Sequence, residues 1–420
     1  MKAQHARQRV AIPFGQALTA ALAVAATSPS SHNCQPWAVA RLAGGADPDE
    51  SAPAREFLVL AADRGREIGA LPAHHTEMLL SCGLYWRLLH RALAAQGWIA
   101  HGVLPPVGGR NLASVAAVSR DLPPTDPASR DLPPADPASR DLPPADVPLR
   151  EPSPADPLLR DLPPTWKPLR LMEFRWTGER PEALPTLRAL AAARQTNRGP
   201  YRARPIPAAT LAALGGYLES TIPAIEVRNL VTADELDRFA DYVRKHAGRD
   251  FAHQQAWQET HSFIRRDAEE AAARGDGFTL AHLFGPLSPA QQLLRRWVLA
   301  PRTMRALRVI GFPRLLAGQL ARVVRTAPVV VALSLPESGD LDDDLITAGE
   351  RLSDYWLRVT RLGLVLHPVS VVLQHDDLRA GLRTRFGLTG RPFFVARLGY
   401  PTTSFPHSPR RDPDACFREL

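Results

Sequence analysis

Residues 29–37 read Pro-Ser-Ser-His-Asn-Cys-Gln-Pro-Trp, with two prolines bracketing the polar part. Ser30, Ser31, Asn33 and Gln35 put two hydroxyls and two carboxamides into one short loop. With the backbone N–H groups of a turn, they offer donors and acceptors at close quarters. That set suits a planar heterocycle bearing carbonyls and ring nitrogens. It suits equally an ordinary capped turn with Trp37 in the core. A second set is cationic: Arg194 and Arg198 in "AAARQTNRGPYRARPIP" (191–207), and Arg410 and Arg411 in "RLGYPTTSFPHSPRR" (397–411). Arginine forks match a dianionic phosphate, and Thr196 adds a hydroxyl. Any single arginine is by default a solvated charge, because only Lys2, Lys167 and Lys245 among the 51 basic residues are lysine.

Other chemistries find little support. No catalytic triad, paired-carboxylate site or G-x-G-x-x-G stands out, so no catalytic side chain is assigned. Cys34, Cys82 and Cys416 are odd in number and show no metal spacing; neither do the histidines, so no metal and no disulfide are expected. Reduced thiols point to a cytoplasmic location. The net charge is +8, but the arginines are scattered rather than gathered with aromatics, which argues against nucleic acid. No run approaches the ~20 apolar residues of a membrane span. A small-molecule partner is the expectation, with no nucleic acid and no membrane.

Elements must position these groups. The alanine-rich stretch Phe14 to Ala26 reads as a helix, although Lys2, Arg7, Arg9 and the small residues that follow also fit a signal peptide cut near Ala25 or Ala26. "PWAVARL" and "FLVLAADR" read as strands, and a long helix runs through "TEMLLSCGLYWRLLHRALAAQGW", where apolar residues recur at three- and four-residue steps. Later come helices around 181–201 and after Pro207, a strand at "IPAIEVRNL" and a long arginine-rich helical region at about 233–322. "APVVVALSL" is a buried strand by its β-branched run, and a helix covers 344–362. "HPVSVVLQ" is a short extended segment and "PFFVARLGYP" a last strand. Strands separated by long helices predict an α+β or α/β layer architecture.

From Arg120 to Leu169 a decapeptide repeats five times, beginning RDLPPTDPAS. Those residues hold 15 of the 41 prolines and no recurring apolar face. Proline lacks an N–H and fixes φ, so this reads as a disordered, polyproline-rich spacer, with adaptor binding as its alternative role. The domain organisation expected is a first half at 1–118, the repeat at 119–169, and a second half at 170–420 in which 233–322 could form a lid.

The loop resembles the P-S-S-x-N-x-Q-P-W signature of the FMN-dependent nitroreductase family. "RQTNR" resembles that family's phosphate-binding arginine segment, "TRLGLVLHPVS" (360–370) its helix end beside the flavin, and "RLGYPTTSFPHSPRR" its closing basic segment. In simple members the arginine segment precedes the loop; here it follows some 160 residues later. That order resembles the longer Acg-like branch, in which one chain looks like two fused nitroreductase halves. The fold implied is α+β, two fused halves interrupted by the repeat. Simple members are homodimers with flavin at the subunit interface, so the resemblance implies a monomer with an internal pseudo-dimer.

The resemblance also assigns roles. Arg194, Thr196, Arg198, Arg410 and Arg411 would hold the FMN phosphate, with Ser30 and Ser31 on its ribityl or phosphate side. Asn33 and Gln35 would address the ring, and Ser370 and Val371 would contact it through the backbone. The activity implied is FMN-dependent transfer of electrons from NADH or NADPH to a small conjugated or nitro-like substrate. The alternatives are a flavin-sequestering protein and an interaction scaffold recruited through the repeat. Two departures stand out: Cys34 where Ser or Thr is usual, and Ser370 where an acidic residue is common.

Overall fold

The computed structural model describes residues 11–42, 55–104, 161–221, 223–337 and 340–420; the repeat from Arg120 to Arg160 lies outside them. Among these described residues, nine strands form two sheets. The first, in order β3-β4-β2-β1-β9, joins β1 (Trp37–Leu42), β2 (Arg55–Asp63), β3 (Trp98–Leu104), β4 (Trp166–Trp176) and β9 (Phe417–Glu419). The second, β5-β6-β8-β7, joins β5 (Glu226–Leu230), β6 (Val329–Leu335), β7 (Val365–Pro368) and β8 (Arg391–Gly399). Every pairing is antiparallel except β1 with β9. The architecture is α+β.

Among the described residues, fourteen helices pack around them. They are α1 (Phe14–Ala25), α2 (Ala73–Ala94), α3 (Leu184–Ala193), α4 (Ala208–Glu219), α5 (Ala233–His246), α6 (Gly248–Ala252), α7 (Gln254–Ser262) and α8 (Ala268–Arg274). There follow α9 (Leu280–Phe284), α10 (Pro289–Leu299), α11 (Pro301–Leu307), α12 (Phe312–Arg325), α13 (Leu341–Arg361) and α14 (Asp376–Phe386). α1 buries Phe14, Ala17, Leu18, Ala21, Leu22 and Ala25, three- and four-residue steps that put one face into the main core. α13 starts on an Asp340 cap, with Asp342, Asp343 and Asp344 in its first turn and Arg358 and Arg361 in its last, matching the helix dipole.

The two longest helices, α2 and α13, cross at glycines. A Cβ on Gly83 would lie 2.1 Å from the Ile346 carbonyl oxygen, and one on Gly349 would lie 2.4 Å from that of Leu80. Only hydrogen at both positions allows backbones this close. Ion pairs then fix the crossing: Arg87 and Arg91 of α2 reach Asp354 of α13 at 2.8 and 3.0 Å. From β4, the buried Arg170 reaches Glu350 of α13 at 2.8 Å.

Three strands, β3, β4 and β9, differ from the sequence expectation. β3 and β4 were not foreseen, and β4 begins inside the segment assigned to the disordered repeat, so the boundary drawn at 169 falls within a strand. β4 supplies its neighbours' missing partner: it pairs with both β2 and β3, with Phe174 buried beneath. The first sheet is therefore not made from 1–118 alone, since β9 also returns to it from the C-terminus. The long helical region expected at about 233–322 comprises eight helices, α5 to α12, begun by the Thr232 cap and divided by caps such as Asp267 and Ser288. α5 and α12 pack against the second sheet as core, while residues between them cover the site.

Candidate functional site: a cavity with an arginine-lined end

The loop between α1 and β1 turns by backbone strain. His32, Asn33 and Gln35 all sit at positive φ, 51°, 52° and 54°. Each costs about 1 kcal/mol for a residue other than glycine. Side-chain bonds offset that cost. Asn33 Nδ2 donates to the carbonyls of Gly277 and Pro409, both at 2.9 Å, and Asn33 Oδ1 accepts from Arg410. Gln35 Nε2 donates to the Gly275 carbonyl at 2.7 Å, while its Oε1 accepts from the Arg411 N–H at 3.0 Å. The loop is thereby tied to the turn after α8 and to the C-terminal segment. Arg66 strengthens the tie, donating to Asp276 at 2.6 Å and to the Cys34 carbonyl at 2.7 Å.

Beneath the loop lies a cavity of about 550 Å³. α2 contributes Glu77, Leu80, Ser81 and Leu84, and α13 contributes Leu345, Leu352 and Trp356. Thr260, Phe278 and Leu283 close it from the α7–α9 side. Ser31 donates to Glu77, whose other oxygen accepts from Gln374 at 2.7 Å. Nearby, burial and then Glu77 push the Asp250 carboxyl up to about 7. His32 bridges Ser31 and Thr260, 3.0 Å from each hydroxyl, and burial, then His74 and Arg198, depress its pKa to about 3.

A smaller chamber of about 70 Å³ adjoins this cavity, sharing Ser30, His32, Thr196, Arg198 and Phe278 as walls. Its far side carries Arg194 and Arg410, and no carboxylate lines it. Burial depresses the pKa of Arg194 to about 9, and those of Arg198 and Arg410 to about 10. Arg194 stacks on Trp356 at 5.0 Å, but its Nε and Nη1 are buried without a hydrogen-bond partner. Arg198 donates to the His282 carbonyl at 3.2 Å. One buried and two half-buried guanidinium groups, Arg194 with Arg198 and Arg410, are costly to gather without a counter-charge unless an anion joins them. The chamber's charge suits an anionic group.

A second layer holds those cations in place. Asn197 is fully buried, donating to the Thr403 carbonyl at 2.7 Å and accepting from the Gly199 N–H at 3.0 Å. Arg397 is also fully buried, donating to the Gly199 carbonyl at 2.9 Å and lying 4.1 Å from the Tyr201 ring. The segment bearing Thr196 and Arg198 is thus anchored to β8 and to the chain beyond it.

Of the residues singled out in the sequence, Ser30, Ser31, Asn33, Arg194, Thr196, Arg198, Ser370 and Arg410 line the two chambers. Three others do not, and one changes role. Gln35 is buried in the loop-to-turn clamp rather than facing the cavity. Val371 packs against the second core, because the 3-10 turn Ser370–Val372 directs it away. Arg411 donates to the Gln35 carbonyl at 3.2 Å and to that of Ala415 at 3.0 Å, holding the loop instead of the chamber. Asn33 reaches the chamber wall, yet both its amide hydrogens are engaged by backbone carbonyls. It is a clamp more than a ligand group. Sequence reasoning missed His32, Glu77 and Trp356. His32 lies inside the loop itself, but Glu77 and Trp356 carry no local signal and are brought in by the α2–α13 crossing.

A two-sheet α+β chain with an arginine-lined chamber opening into a larger cavity defines a class of small-molecule site, and comparison with known proteins identifies the family. No family model matches the chain. A curated protein, the probable NAD(P)H nitroreductase PigM of Serratia sp. (strain ATCC 39006), is 30% identical over 404 residues, covering 95% of this chain and 92% of its own. The chain belongs to the nitroreductase family. Among solved structures, the FMN-dependent nitroreductase NfnB from Mycobacterium smegmatis, in complex with NADPH, is 17% identical, covers 51% of this chain and 86% of its own, and gives a TM-score of 0.30. A BluB-like flavoprotein from Clostridium difficile 630 is 14% identical, covers 55% of this chain and 95% of its own, with a TM-score of 0.33. Among the described residues, no helix is long and apolar enough to cross a membrane.

Proposed function

We propose that this chain is an FMN-dependent oxidoreductase that takes electrons from NADH or NADPH and passes them to a small conjugated or nitro-like substrate. One observation carries the reading: Arg194, Arg198 and Arg410 converge on a chamber without a carboxylate, and two nitrogens of Arg194 have no partner. The residues fit FMN. Its phosphate would lie among those three arginines and Thr196, and the adjoining cavity, with Ser30, Ser31 and Ser370 in its wall, would take the ring. When bound, the flavin supplies the electron-transfer chemistry, and the protein binds and positions it. Leu345, Leu352 and Phe278 exclude water, while Glu77 and His32 fix the hydroxyl of Ser31. An entering dianion restores the arginines' depressed proton affinity, so binding and charge retention reinforce one another.

Both sides of the cavity come from one chain, which supports a monomer with an internal pseudo-dimer. Cytoplasmic residence and a spacer role for the repeat complete the proposal.

Anaerobic purification with flavin identification, followed by stopped-flow reduction, tests it. FMN should co-purify and bleach with NADH or NADPH. Arg194→Met should weaken FMN retention roughly 10- to 100-fold, the value of a charge-assisted bond or two, with the circular-dichroism spectrum unchanged. Flavin retained but bleached by neither donor would assign a sequestering role instead.

A further inference from the structure

The outer face of the helical cap is chemically unlike the rest of the surface. Ten large apolar side chains are exposed among the described residues, and seven of them lie between Phe284 and Leu315. α10 leaves Leu293, Leu294 and Trp297 in solvent, and α12 leaves Leu315 there. Between them Val309 and Ile310, 88% and 74% exposed, project from a tight turn closed by the Gly311 N–H on the Arg308 carbonyl at 3.1 Å. A surface this apolar is expected to be covered.

Its charge indicates by what. From Gly277 to Pro336 there is not one acidic residue, while Arg295, Arg296, Arg302, Arg305 and Arg314 fall on α10, α11 and α12, and Arg308 caps α11 at the turn. No carboxylate among the described residues is ion-paired to any of these six; Arg295 instead stacks on Phe284 at 4.1 Å. A second copy docking the same face would bring twelve guanidinium groups together unneutralised, so self-association through this face is disfavoured. Arginine and tryptophan beside branched apolar side chains is the composition of elements that lie in a lipid headgroup layer.

We propose that residues 284–315 dock on an anionic lipid surface, the arginines pairing with headgroup phosphates and the Val309–Ile310 tip inserting between them. No crossing helix is required, so the contact proposed is peripheral. A projecting tip, unlike a concave face, fits a deformable lipid layer better than an acidic protein groove. The inner side of the same cap supplies Phe278 and Leu283 to the cavity. Docking would therefore set the cavity wall close to the lipid, where apolar substrates concentrate.

The test is co-sedimentation of the full chain with phosphatidylglycerol–phosphatidylcholine vesicles against phosphatidylcholine alone, at low and raised salt. Retention on anionic vesicles only, weakening as salt rises, is expected. V309S/I310S leaves the charge unchanged and should lower the partition coefficient roughly tenfold; R305Q/R308Q should do likewise. R180Q/R188Q removes the same charge from exposed positions outside residues 284–315 and should have little effect. Retained FMN and an unchanged circular-dichroism spectrum confirm folding of each variant. Absence of retention at low salt overturns the proposal, as does equal loss in R180Q/R188Q, which would show mere attraction of a basic protein. A vesicle-independent dimer abolished by V309S/I310S would assign the face to a second copy. Binding to polyglutamate without vesicle retention would assign it to an acidic protein.

Discussion

At the scale of residues, the loop at 29–37 works by exchanging backbone strain for side-chain bonds. His32 makes the exchange pH-sensitive. Its imidazole is half-buried in the cavity wall, and burial, then His74 and Arg198, lower its pKa from 6.5 to about 3. In the unfolded chain the ring takes up a proton near its ordinary value, while the folded ring does not. Stability contributed by neutral His32 is therefore complete above about pH 6.5 and falls as pH drops toward 3, by about 1.4 kcal/mol per unit. His32→Asn keeps a residue tolerant of positive φ but removes the titration. Denaturant unfolding at a series of pH values should show a slope shallower by about one proton between those limits. An unchanged slope would place the acid sensitivity elsewhere. The polar residues of this loop were legible because they are contiguous, and the arginines because they recur in recognisable segments. What the sequence could not show is which way each side chain faces. Gln35 and Arg411 were taken for ligand groups, yet each satisfies the other's backbone.

At the scale of elements, the site depends on how closely α2 and α13 approach. Gly83→Ala would set a methyl 2.1 Å from the Ile346 carbonyl oxygen, and Gly349→Ala one 2.4 Å from that of Leu80. The helices must separate, at a cost of about 1–3 kcal/mol or more for overpacking. Both also line the cavity, so each variant should lower the urea midpoint and loosen FMN together. Gly216→Ala in α4, where a Cβ meets nothing within 4 Å, is the control. It should be neutral or stabilising by about 0.5–1 kcal/mol. Equal midpoints for all three variants would refute the close-crossing argument. The helices themselves were readable, because α1, α2 and α13 carry apolar residues at helical spacing. β6 and β8 were readable from their β-branched and aromatic runs. β3 and β4 were not, since His101 and Gly102 dilute one and Lys167, Arg170, Glu173 and Arg175 the other. Their stability comes from neighbours: buried Arg170 and Glu173 are paired with Glu350 and Arg55.

At the scale of the whole molecule, the question is how the first sheet survives a long interruption between adjacent strands. β3 ends at Leu104, paired with Leu171, while β4 starts at Trp166, so the two strand ends lie close along one antiparallel ladder. Short loops close such a hairpin, and loop entropy grows only slowly with length. On the spacer reading proposed above, the interruption is tolerated rather than required, and its limit is set by the strand, which begins at Trp166. Removing 120–160 leaves β4 whole and should preserve FMN binding and shift the thermal midpoint little. Removing 120–169 deletes Trp166 to Leu169, and with them the pairs Trp166–Asp63, Lys167–Ala62 and Pro168–Ala61 on β2. That second deletion also takes Trp166 and Leu169 out of the buried cores, and each large apolar side chain lost there costs about 2–5 kcal/mol. Calorimetry and flavin content of the two deletions should therefore diverge sharply, the shorter one matching the intact chain and the longer one melting early. If both lose flavin and structure alike, the repeat is part of the folded unit and the spacer reading fails.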